Sequence, residues 1–359
     1  MAAATVPPLK ISVLHYQPDG DPVDPVVHDV QNALLSLGHA PKLLAVHERV
    51  HDLLTELEKQ QPDLVFNVCE TFADDYRLEV NVAAVLELAR VRFTGSGTAG
   101  LLLAQDKILT KRLLEYHEVL TPNFLTFDGE AFEAFGRMNF PLIVKPARSD
   151  ASIGIGQHSV VNDWDELTKR VRDIRKNLND EALAEEFIDG REVYVGVIGT
   201  PQRPEILPVV ELDWGNWDPN VPRVSDRLVK FGDIGDDHPY IFIATDVSPE
   251  LQARIERSAL LAYRALKIRD YARVDFRISA KGEPFVLEVN PNPYLEKDSE
   301  LAMAAEHRGL SYTDLIEAII DSAATRYGLH VKPEKPTTGE TPATETTRPR
   351  SERVPESRA

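Results

Sequence analysis

The sequence predicts an α/β protein built from two dissimilar halves, and three observations lead to this prediction. Over the first hundred residues, apolar segments of strand length alternate with segments of helix length, which is the pattern of a parallel sheet covered by helices on both faces. After about Gly100, paired strands become frequent and indicate an α+β arrangement with antiparallel strands. Hydrophobic residues make up 43% of the 359 residues, which is enough for a sizeable core.

In the first half, short apolar runs predict strands, and apolar residues at helical spacing predict helices. The first helix is expected to end before Gly38, because glycine readily adopts the left-handed conformation that terminates helices. The predicted elements are, in order, strand 9–14, helix 25–37, strand 43–46, a helix before strand 64–68, helix 78–89 and strand 91–94. Together they predict a Rossmann-like domain with a parallel sheet.

In the second half, helices are interspersed with strands that pair as neighbours. The predicted helices are 106–116, 163–177, 249–265, 299–307 and 313–324, and the predicted strands are 123–127, 142–145, 182–187, 191–198, 205–211, 272–278 and 284–290. The last two strands are expected to form a hairpin. Residues 331–359 hold five Pro and six Thr with almost no large apolar residues, so we expect a disordered tail there.

Composition excludes several classes of protein. The single cysteine, Cys69, rules out a disulfide framework and a cysteine-rich metal site. No apolar run approaches the ~18 residues that span a bilayer. The N-terminus lacks the pattern of a secretory signal, so a cytoplasmic protein without a membrane partner is expected. A net charge of −18 argues against nucleic acid as a partner, although locally concentrated cations could still bind a small anion.

Two short patterns are better explained by structure than by chemistry. Residues 47–51 match the zinc pattern H-E-x-x-H, but Arg49 lies within the match, and we expect two exposed histidines at the start of a polar surface helix. A zinc hydrolase through His47 and His51 is the alternative. Residues 95–100 match G-x-G-x-x-G, but they follow the last strand of the parallel unit instead of the first. A glycine-rich turn is therefore preferred to a dinucleotide site.

The hairpin predicted near the C-terminus carries the chemically most informative side chains. Strand alternation places Arg273, Asp275 and Arg277 on one face of its first strand. Glu288 and Asn290 likewise share one face of its second strand. Pairing of the strands would bring two carboxylates and an amide beside an arginine, and such oxygen ligands suit Mg²⁺ held together with substrate phosphates. The alternative is a surface salt-bridge ladder, which the apolar flanks of both strands disfavour.

Two further segments are suited to a nucleotide. Lys145 ends an apolar strand, where its charge is costly unless it meets an anion. The loop after it contains Ser149, Ser152 and two glycines, whose small side chains and free backbone N–H groups can cover phosphates. In segment 185–192, backbone groups and carboxylates could bind an adenine edge and ribose hydroxyls. An ordinary turn with charged flanks is the alternative for this segment taken alone.

Taken together, these motifs resemble the ATP-grasp superfamily and, within it, the D-alanine–D-alanine ligase family. The resemblance rests on the order and spacing of Lys107, Lys145-Pro146, Glu185-Glu186-Phe187-Ile188, Arg273-Val274-Asp275-Phe276 and Glu288-Val289-Asn290. The segments 93–96, 106–107 and 110–111 are typical of the D-alanine–D-alanine ligase branch. The resemblance covers about residues 9–324, nearly all of the chain before the predicted tail.

The resemblance implies an ATP-grasp fold with three α/β subdomains. They are an N-terminal domain at residues 1–104, a central ATP-grasp subdomain at 105–190 and a C-terminal subdomain with the metal site at 191–330, before the tail 331–359. ATP would lie between the last two subdomains. The residues that the resemblance assigns to ATP are Lys107, Lys145, Ser152, Glu185, Phe187, Ile188, Glu192, Lys230 and Leu287.

For the reaction, the resemblance implies that a carboxylate attacks ATP to give an acyl phosphate. An amine then captures this intermediate, forming a peptide or amide bond with release of ADP and phosphate. Two Mg²⁺ ions, or Mn²⁺ in their place, would lie on Asp275, Glu288 and Asn290, and Arg273 would be the catalytic residue that stabilises the transferring phosphoryl group. The implied partners are small-molecule carboxylate and amine substrates. Ligases of this branch are commonly homodimers, so a homodimer is the implied assembly.

The sequence departs from the family at the residues that bind the amine of the first substrate. The family uses a Glu–Ser–Tyr arrangement, whereas this chain has no glutamate motif in loop 17–22 and has Ala151 and Phe231 at the other two positions. Segments 67–70 and 291–295 also differ from the family pattern. We therefore predict a ligase for substrates other than two D-alanines, such as amino acids or small peptides. The alternatives are a D-alanine–D-alanine ligase with its amine site elsewhere and an ATP-binding regulatory protein without ligase chemistry.

Overall fold

The structure is a computed structural model that describes residues 6–18, 20–128, 131–149, 152–218, 220–226, 229 and 239–330. Its strands are β1 (Lys10–Tyr16), β2 (Ala40–Val46), β3 (Leu64–Asn67), β4 (Phe124–Asp128), β5 (Ala131–Phe135), β6 (Leu142–Pro146), β7 (Val160–Val161), β8 (Ala182–Glu186), β9 (Gly190–Thr200), β10 (Arg203–Asp213), β11 (Tyr240–Ile243), β12 (Asp270–Ser279) and β13 (Pro284–Asn290). Its α-helices are α1 (Pro25–Ser36), α2 (Val50–Gln60), α3 (Glu79–Leu88), α4 (Thr98–Gln105), α5 (Lys107–Tyr116), α6 (Trp164–Leu178), α7 (Pro249–Ala265), α8 (Glu300–His307) and α9 (Tyr312–Tyr327). The tail predicted at 331–359 lies outside the described residues.

The N-terminal unit contains a parallel sheet with the strand order β2-β1-β3. The central strand β1 is buried along most of its length, as expected where a parallel sheet is covered on both faces. Helix α1 begins at an Asp24 cap, whose carboxylate accepts a hydrogen bond from the Val26 N–H at 2.9 Å. The strand predicted at 91–94 is wrong, because only Phe93 bridges to β3 before Gly95 turns the chain at a positive φ of 85°.

The central unit is an antiparallel sheet with the strand order β5-β4-β8-β6-β7. Helix α6 covers one face of this sheet and buries Leu167, Val171 and Ile174 against it. The sequence did not predict β5, which pairs with β4 at the edge of the sheet. Strands β6 and β8 lie side by side, so the residues at their ends can meet on the other face of the sheet.

The C-terminal unit is a second antiparallel sheet, in the order β11-β10-β9-β12-β13. The predicted hairpin forms from β12 and β13, with Asp275 opposite Glu288 and with Arg273 opposite Asn290. The register shifts immediately afterwards, so that Leu287 is an additional residue on β13. Such a bulge re-aims neighbouring side chains and breaks the strict alternation of a regular strand.

Helices pack on both faces of the C-terminal sheet and connect it to the N-terminal unit. One face buries Val195, Val274 and Phe276 against α7. The other face forms a continuous core with α8, α9, α1 and the parallel sheet, which includes the buried residues Ile11, Val30, Leu34, Phe66, Tyr271, Leu301, Ile319 and Ala323. This shared core holds the parallel sheet against the C-terminal sheet. Within the described ranges, every helix is too short or too polar to cross a lipid bilayer.

Candidate active site

A cleft lies between the central and C-terminal sheets, where β6 and β8 face β12 and β13. The predicted nucleotide residues that line this cleft are Lys107, Lys145, Ser152, Glu185, Phe187, Ile188, Glu192 and Leu287. The bulge in β13 allows both Leu287 and Glu288 to line the cleft, although neighbouring residues of a regular strand would face opposite sides. Lys230, the remaining predicted nucleotide residue, lies outside the described residues.

The predicted metal residues converge at one end of the cleft. Asp275 accepts two hydrogen bonds from Arg273, at 2.7 Å between Nε and Oδ1 and at 2.9 Å between Nη2 and Oδ2. The Asn290 amide nitrogen lies 3.3 Å from the second of these oxygens. Lys107 approaches Glu288, with 4.0 Å between Nζ and Oε2. Two carboxylates and an amide therefore lie beside Arg273, as the strand pattern predicted, and Lys107 adds a second cation.

This donor set fits Mg²⁺ held partly by a substrate. Among the residues that the structure describes, no three His, Cys, Asp or Glu side chains converge as they would in an all-protein metal cage. Mg²⁺ keeps an octahedral shell and is typically bound through one or two carboxylates together with phosphate oxygens and water. The carboxylates of Asp275 and Glu288 and the amide of Asn290 would supply the protein share of such a shell.

Arg273 is fixed between two carboxylates. Besides its two bonds to Asp275, its Nη1 donates to Glu300 Oε2 at 3.1 Å. Burial lowers the pKa of the guanidinium, but the carboxylates of Asp275 and Glu300 outweigh this effect and raise the pKa of Arg273 well above its ordinary value. The side chain is 13% exposed and therefore presents a permanent, positioned positive charge next to the cleft.

Glu185 lies between two buried lysines on the wall of the cleft. Its Oε1 is 2.5 Å from Lys111 Nζ and its Oε2 is 2.6 Å from Lys145 Nζ. Lys111 also donates to Thr121 Oγ1 at 2.7 Å. Burial lowers the pKa of Lys111 well below its ordinary value and lowers that of Lys145 to about 8, whereas the Glu185 carboxylate beside both lysines favours their protonated forms. One carboxylate between two ammonium groups leaves a net positive charge, which favours an anion in the cleft.

Glu192 and Arg277 form a second buried ion pair in the cleft. Arg277 Nη2 lies 2.5 Å from Glu192 Oε2, and both side chains are less than 10% exposed. The Tyr194 hydroxyl donates to the other Glu192 oxygen at 2.9 Å. The guanidinium of Arg277 also lies over the ring of Phe187, with 5.9 Å to the ring centroid. These contacts hold the Glu192 carboxylate in one orientation at the cleft wall.

The loop after β6 is held by side chains from two directions. Lys107 Nζ donates to the Ser149 carbonyl at 2.6 Å, and the Tyr76 hydroxyl donates to Ser149 Oγ at 3.0 Å. On the far side of the two undescribed residues, Ser152 Oγ donates to the Ser225 carbonyl at 3.0 Å. The loop predicted to cover phosphates therefore connects the N-terminal unit with the C-terminal unit across the cleft.

The zinc pattern does not form a metal site in the described structure. Helix α2 begins at Val50, so His47 precedes the helix and cannot share a helix face with His51. His51 is exposed as predicted, but His47 is half-buried, with its Nδ1 2.6 Å from the Gln17 carbonyl. The expectation of two exposed histidines was therefore wrong for His47, because the end of β2 packs beside the loop after β1.

The glycine pattern forms a packed turn. The Gly95 N–H donates to Asp270 Oδ2 at 2.8 Å, and the Gly95 carbonyl accepts from Arg269 Nε at 2.9 Å. A Cβ at Gly97 would lie 2.4 Å from Glu87 Oε1, so any larger residue would require the Glu87 side chain to move. The turn thus joins the N-terminal unit to β12 instead of cradling a phosphate.

Three site residues were missed by the sequence interpretation. They are Tyr76 beside the phosphate loop, Glu300 beside Arg273, and Lys111, whose ion pair with Glu185 was not foreseen. One signal could have identified the last of these, since Lys107 and Lys111 are four residues apart on α5 and therefore share a helix face. The other two come from segments distant in sequence and gave no local signal.

Comparisons with known proteins point to one family. The family model described as D-ala D-ala ligase C-terminus matches residues 113–321. The chain is 33% identical over 302 residues to the D-alanine–D-alanine ligase of Bordetella petrii, covering 83% of this chain and 86% of that protein. It is 34% identical over 310 residues to an uncharacterized protein of Sinorhizobium fredii, covering 84% and 88% of the two chains.

Solved structures share the fold. The D-alanine–D-alanine ligase of Bacillus anthracis complexed with ATP superimposes with a TM-score of 0.69 at 21% identity, covering 90% of this chain and 99% of that chain. The VanG D-Ala:D-Ser ligase of Enterococcus faecalis superimposes with a TM-score of 0.67 at 19% identity, covering 88% and 100%. The predicted fold class is confirmed, and the chain belongs to the D-alanine–D-alanine ligase family of ATP-grasp ligases, which form carbon–nitrogen bonds with ATP.

Proposed function

We propose that this ligase joins a carboxylate donor other than D-alanine to an amine, through an acyl phosphate formed in the cleft. One contrast carries the proposal. Eight of the nine side chains expected for the nucleotide line the cleft, together with Asp275 and Glu288 of the expected metal residues. The Glu–Ser–Tyr arrangement that the family uses for the first substrate's amine is missing from the sequence at all three positions. Selection for ATP chemistry with a different substrate explains both observations.

The lysines of the cleft have distinct tasks in this proposal. Lys107 and Lys145 bind the phosphates of ATP, and Lys107 at the same time holds the loop that covers them through Ser149. Lys111 lies behind the cleft wall and fixes Glu185, which in turn fixes Lys145. Phosphoryl transfer depends mainly on positioning and on positive charge, so cations that are held in place before ATP binds lower the barrier.

The acidic end of the cleft holds Mg²⁺ through Asp275, Glu288 and Asn290 in this proposal. Bound Mg²⁺ supplies the positive charge that compensates the phosphate oxygens during transfer. Arg273 points its guanidinium at the same region and stabilises negative charge on the transferring group. Glu192 binds the ribose hydroxyls, since a carboxylate fixed by Arg277 and Tyr194 is a strong hydrogen-bond acceptor.

The division of the chain at residues 104, 190 and 330 and the homodimer are also proposed on the family resemblance. The three sheets support the division, because the first two each lie within one proposed subdomain and the third begins at the boundary residue Gly190. Size-exclusion chromatography with light scattering tests the assembly, since a monomeric mass at micromolar concentration would contradict the dimer.

A substrate screen tests the proposed function. The full-length protein is incubated with ATP, Mg²⁺ and pools of L- and D-amino acids, dipeptides and small carboxylates, and both phosphate release and condensed masses are measured. We expect a condensation product that disappears in a Glu288→Ala variant and persists in a Glu58→Ala variant, since Glu58 is exposed on α2. D-alanyl-D-alanine formed at rates normal for its ligases would contradict the proposed substrate, and ATP binding without turnover in any pool would contradict ligase chemistry.

A further inference from the structure

One cation of the cleft differs from the others in its surroundings. Among the described residues, four basic side chains line the cleft, and three of them have a carboxylate partner. These pairs are Lys107 with Glu288 at 4.0 Å, Lys145 with Glu185 at 2.6 Å, and Arg277 with Glu192 at 2.5 Å. The fourth cation is Arg223, whose guanidinium has no carboxylate at ion-pair distance in the described part of the chain. In a protein of net charge −18, such a cation in a cleft favours a negatively charged ligand.

The backbone around Arg223 is held at two points. The Arg223 carbonyl accepts a hydrogen bond from Arg277 Nη2 at 2.6 Å. Two residues further along the chain, the Ser225 carbonyl accepts a hydrogen bond from Ser152 Oγ at 3.0 Å. Val224, between these two carbonyls, is buried with 2% of its surface exposed. The segment that carries the arginine is therefore fixed against the wall of the cleft.

These two attachments define where Arg223 lies along the proposed nucleotide. The guanidinium of Arg277 also bonds to Glu192, the carboxylate proposed for the ribose hydroxyls. Ser152 belongs to the loop proposed to cover the phosphates. Arg223 is thus tied to the ribose end of the cleft on one side and to the phosphate loop on the other. In ATP, the group that joins the ribose to the outer phosphates is the α-phosphate.

The chemistry of an arginine suits this group. The α-phosphate of ATP carries a negative charge and has two non-bridging oxygens. A guanidinium is permanently charged, and its planar N–H groups can bond to two oxygens of one phosphate at the same time. The other arginine of the cleft is already engaged, because the terminal nitrogens of Arg277 donate to Glu192 and to the carbonyls of Gly190 and Arg223.

We propose that Arg223 binds the α-phosphate of ATP through its two non-bridging oxygens. This inference rests on the proposed function, because it requires ATP to lie in the cleft in the orientation given above. No bond to the α-phosphorus forms or breaks when the γ-phosphoryl group is transferred. Arg223 therefore contributes to the affinity for ATP and not to the rate of the transfer.

A series of nucleotides tests this inference without knowledge of the natural carboxylate and amine. The full-length protein and its Arg223→Gln variant are titrated with ATP, ADP, AMP and adenosine in the presence of Mg²⁺. Isothermal titration measures each Kd, and competition against ATP extends the measurement to the weakly bound ligands. The first three ligands contain the α-phosphate and adenosine lacks it. The measured quantity is the ratio of the Kd of the variant to that of the wild type, for each ligand.

We expect Arg223→Gln to raise the Kd of ATP, ADP and AMP by similar factors of about 10- to 100-fold, the scale of one lost charge-assisted hydrogen bond. The Kd of adenosine should be unchanged, which also shows that the variant is folded. Arg223→Lys keeps the charge but loses the planar arrangement of donors, so it should raise the three Kd values less. Arg203→Gln is the matched control and should change no Kd, because Arg203 is exposed on β10 of the same unit.

The possible outcomes separate the two proposals. A Kd for ATP that Arg223→Gln leaves unchanged would overturn the role of Arg223 and leave the proposed function standing. A loss of affinity confined to ATP and ADP would overturn the assignment to the α-phosphate, and an equal loss for adenosine would overturn any phosphate contact. Failure of the wild-type protein to bind ATP would overturn the proposed function, and the role of Arg223 with it. If Arg223→Gln does not fold, Arg223→Lys decides the question, since an unchanged Kd for ATP in that variant would contradict the contact with two oxygens.

Discussion

Replacing Glu185 by glutamine tests whether the buried lysines of the cleft depend on this one carboxylate. In the structure, Glu185 is 1% exposed and lies 2.5 Å from the ammonium of Lys111 and 2.6 Å from that of Lys145. The three side chains together carry a net charge of +1. Glu185→Gln raises this to +2 and leaves two buried ammonium groups without their shared partner.

The expected loss of stability follows from this change in buried charge. Removing one partner of a buried ion pair costs about 3–5 kcal/mol, because the remaining charge is buried without compensation. Lys111→Met should cost less, about 1.5–3 kcal/mol, the scale of one charge-assisted hydrogen bond. In that variant Glu185 keeps Lys145 as a partner, and a desolvated ammonium is removed. The double variant should be less destabilised than the sum of the single variants by at least about 1 kcal/mol.

Equilibrium unfolding in urea, followed by circular dichroism, measures these differences. Glu133→Gln is a suitable control, because Glu133 forms an exposed ion pair with Arg112 at 2.9 Å in the same unit. Loss of this exposed ion pair should lower the free energy of unfolding by less than about 1 kcal/mol. If Glu185→Gln were no more destabilising than Glu133→Gln, or if Lys111→Met were as destabilising as Glu185→Gln, the argument from uncompensated buried charge would be refuted.

Further predictions concern ATP binding and the contact between the units. Burial lowers the pKa of Lys145 to about 8 although Glu185 lies close by, so the ammonium loses its proton above that pH. Isothermal titration should therefore show that the Kd for ATP rises between pH 7 and 9, and Lys145→Arg should remove this pH dependence. Tyr76→Phe removes the hydroxyl that holds Ser149, so stopped-flow binding should show ATP dissociating several-fold faster, and an unchanged rate would contradict that role. Asp270→Asn should lower the free energy of unfolding by about 3–5 kcal/mol, because Asp270 is fully buried and pairs with Arg326. Thermal or urea unfolding measures this change, and a decrease below about 1 kcal/mol would show that the pair does not stabilise the fold.

Much of the fold could be predicted from local sequence. Strands and helices follow from the spacing of apolar residues, which is a property of neighbouring positions, and the register of the β12–β13 hairpin follows from its short turn. The alternation along that hairpin also predicted that Asp275, Glu288 and Asn290 would meet. Local pattern failed at strand 91–94, where one bridge replaces a ladder, and at β5 and β11, which are edge strands stabilised by their neighbours.

The tertiary structure decided which charges share a partner. Lys111, Glu185 and Lys145 come from α5, β8 and β6, so their two ion pairs depend on packing between residues 74 and 40 positions apart in the sequence. The bulge at Leu287 also depends on tertiary structure, because it is defined by the pairing of β13 with β12. Residue types and their order therefore determined the family and its chemistry. The environment of each charge depended on burial and on distances of a few ångströms, which only the folded chain specifies.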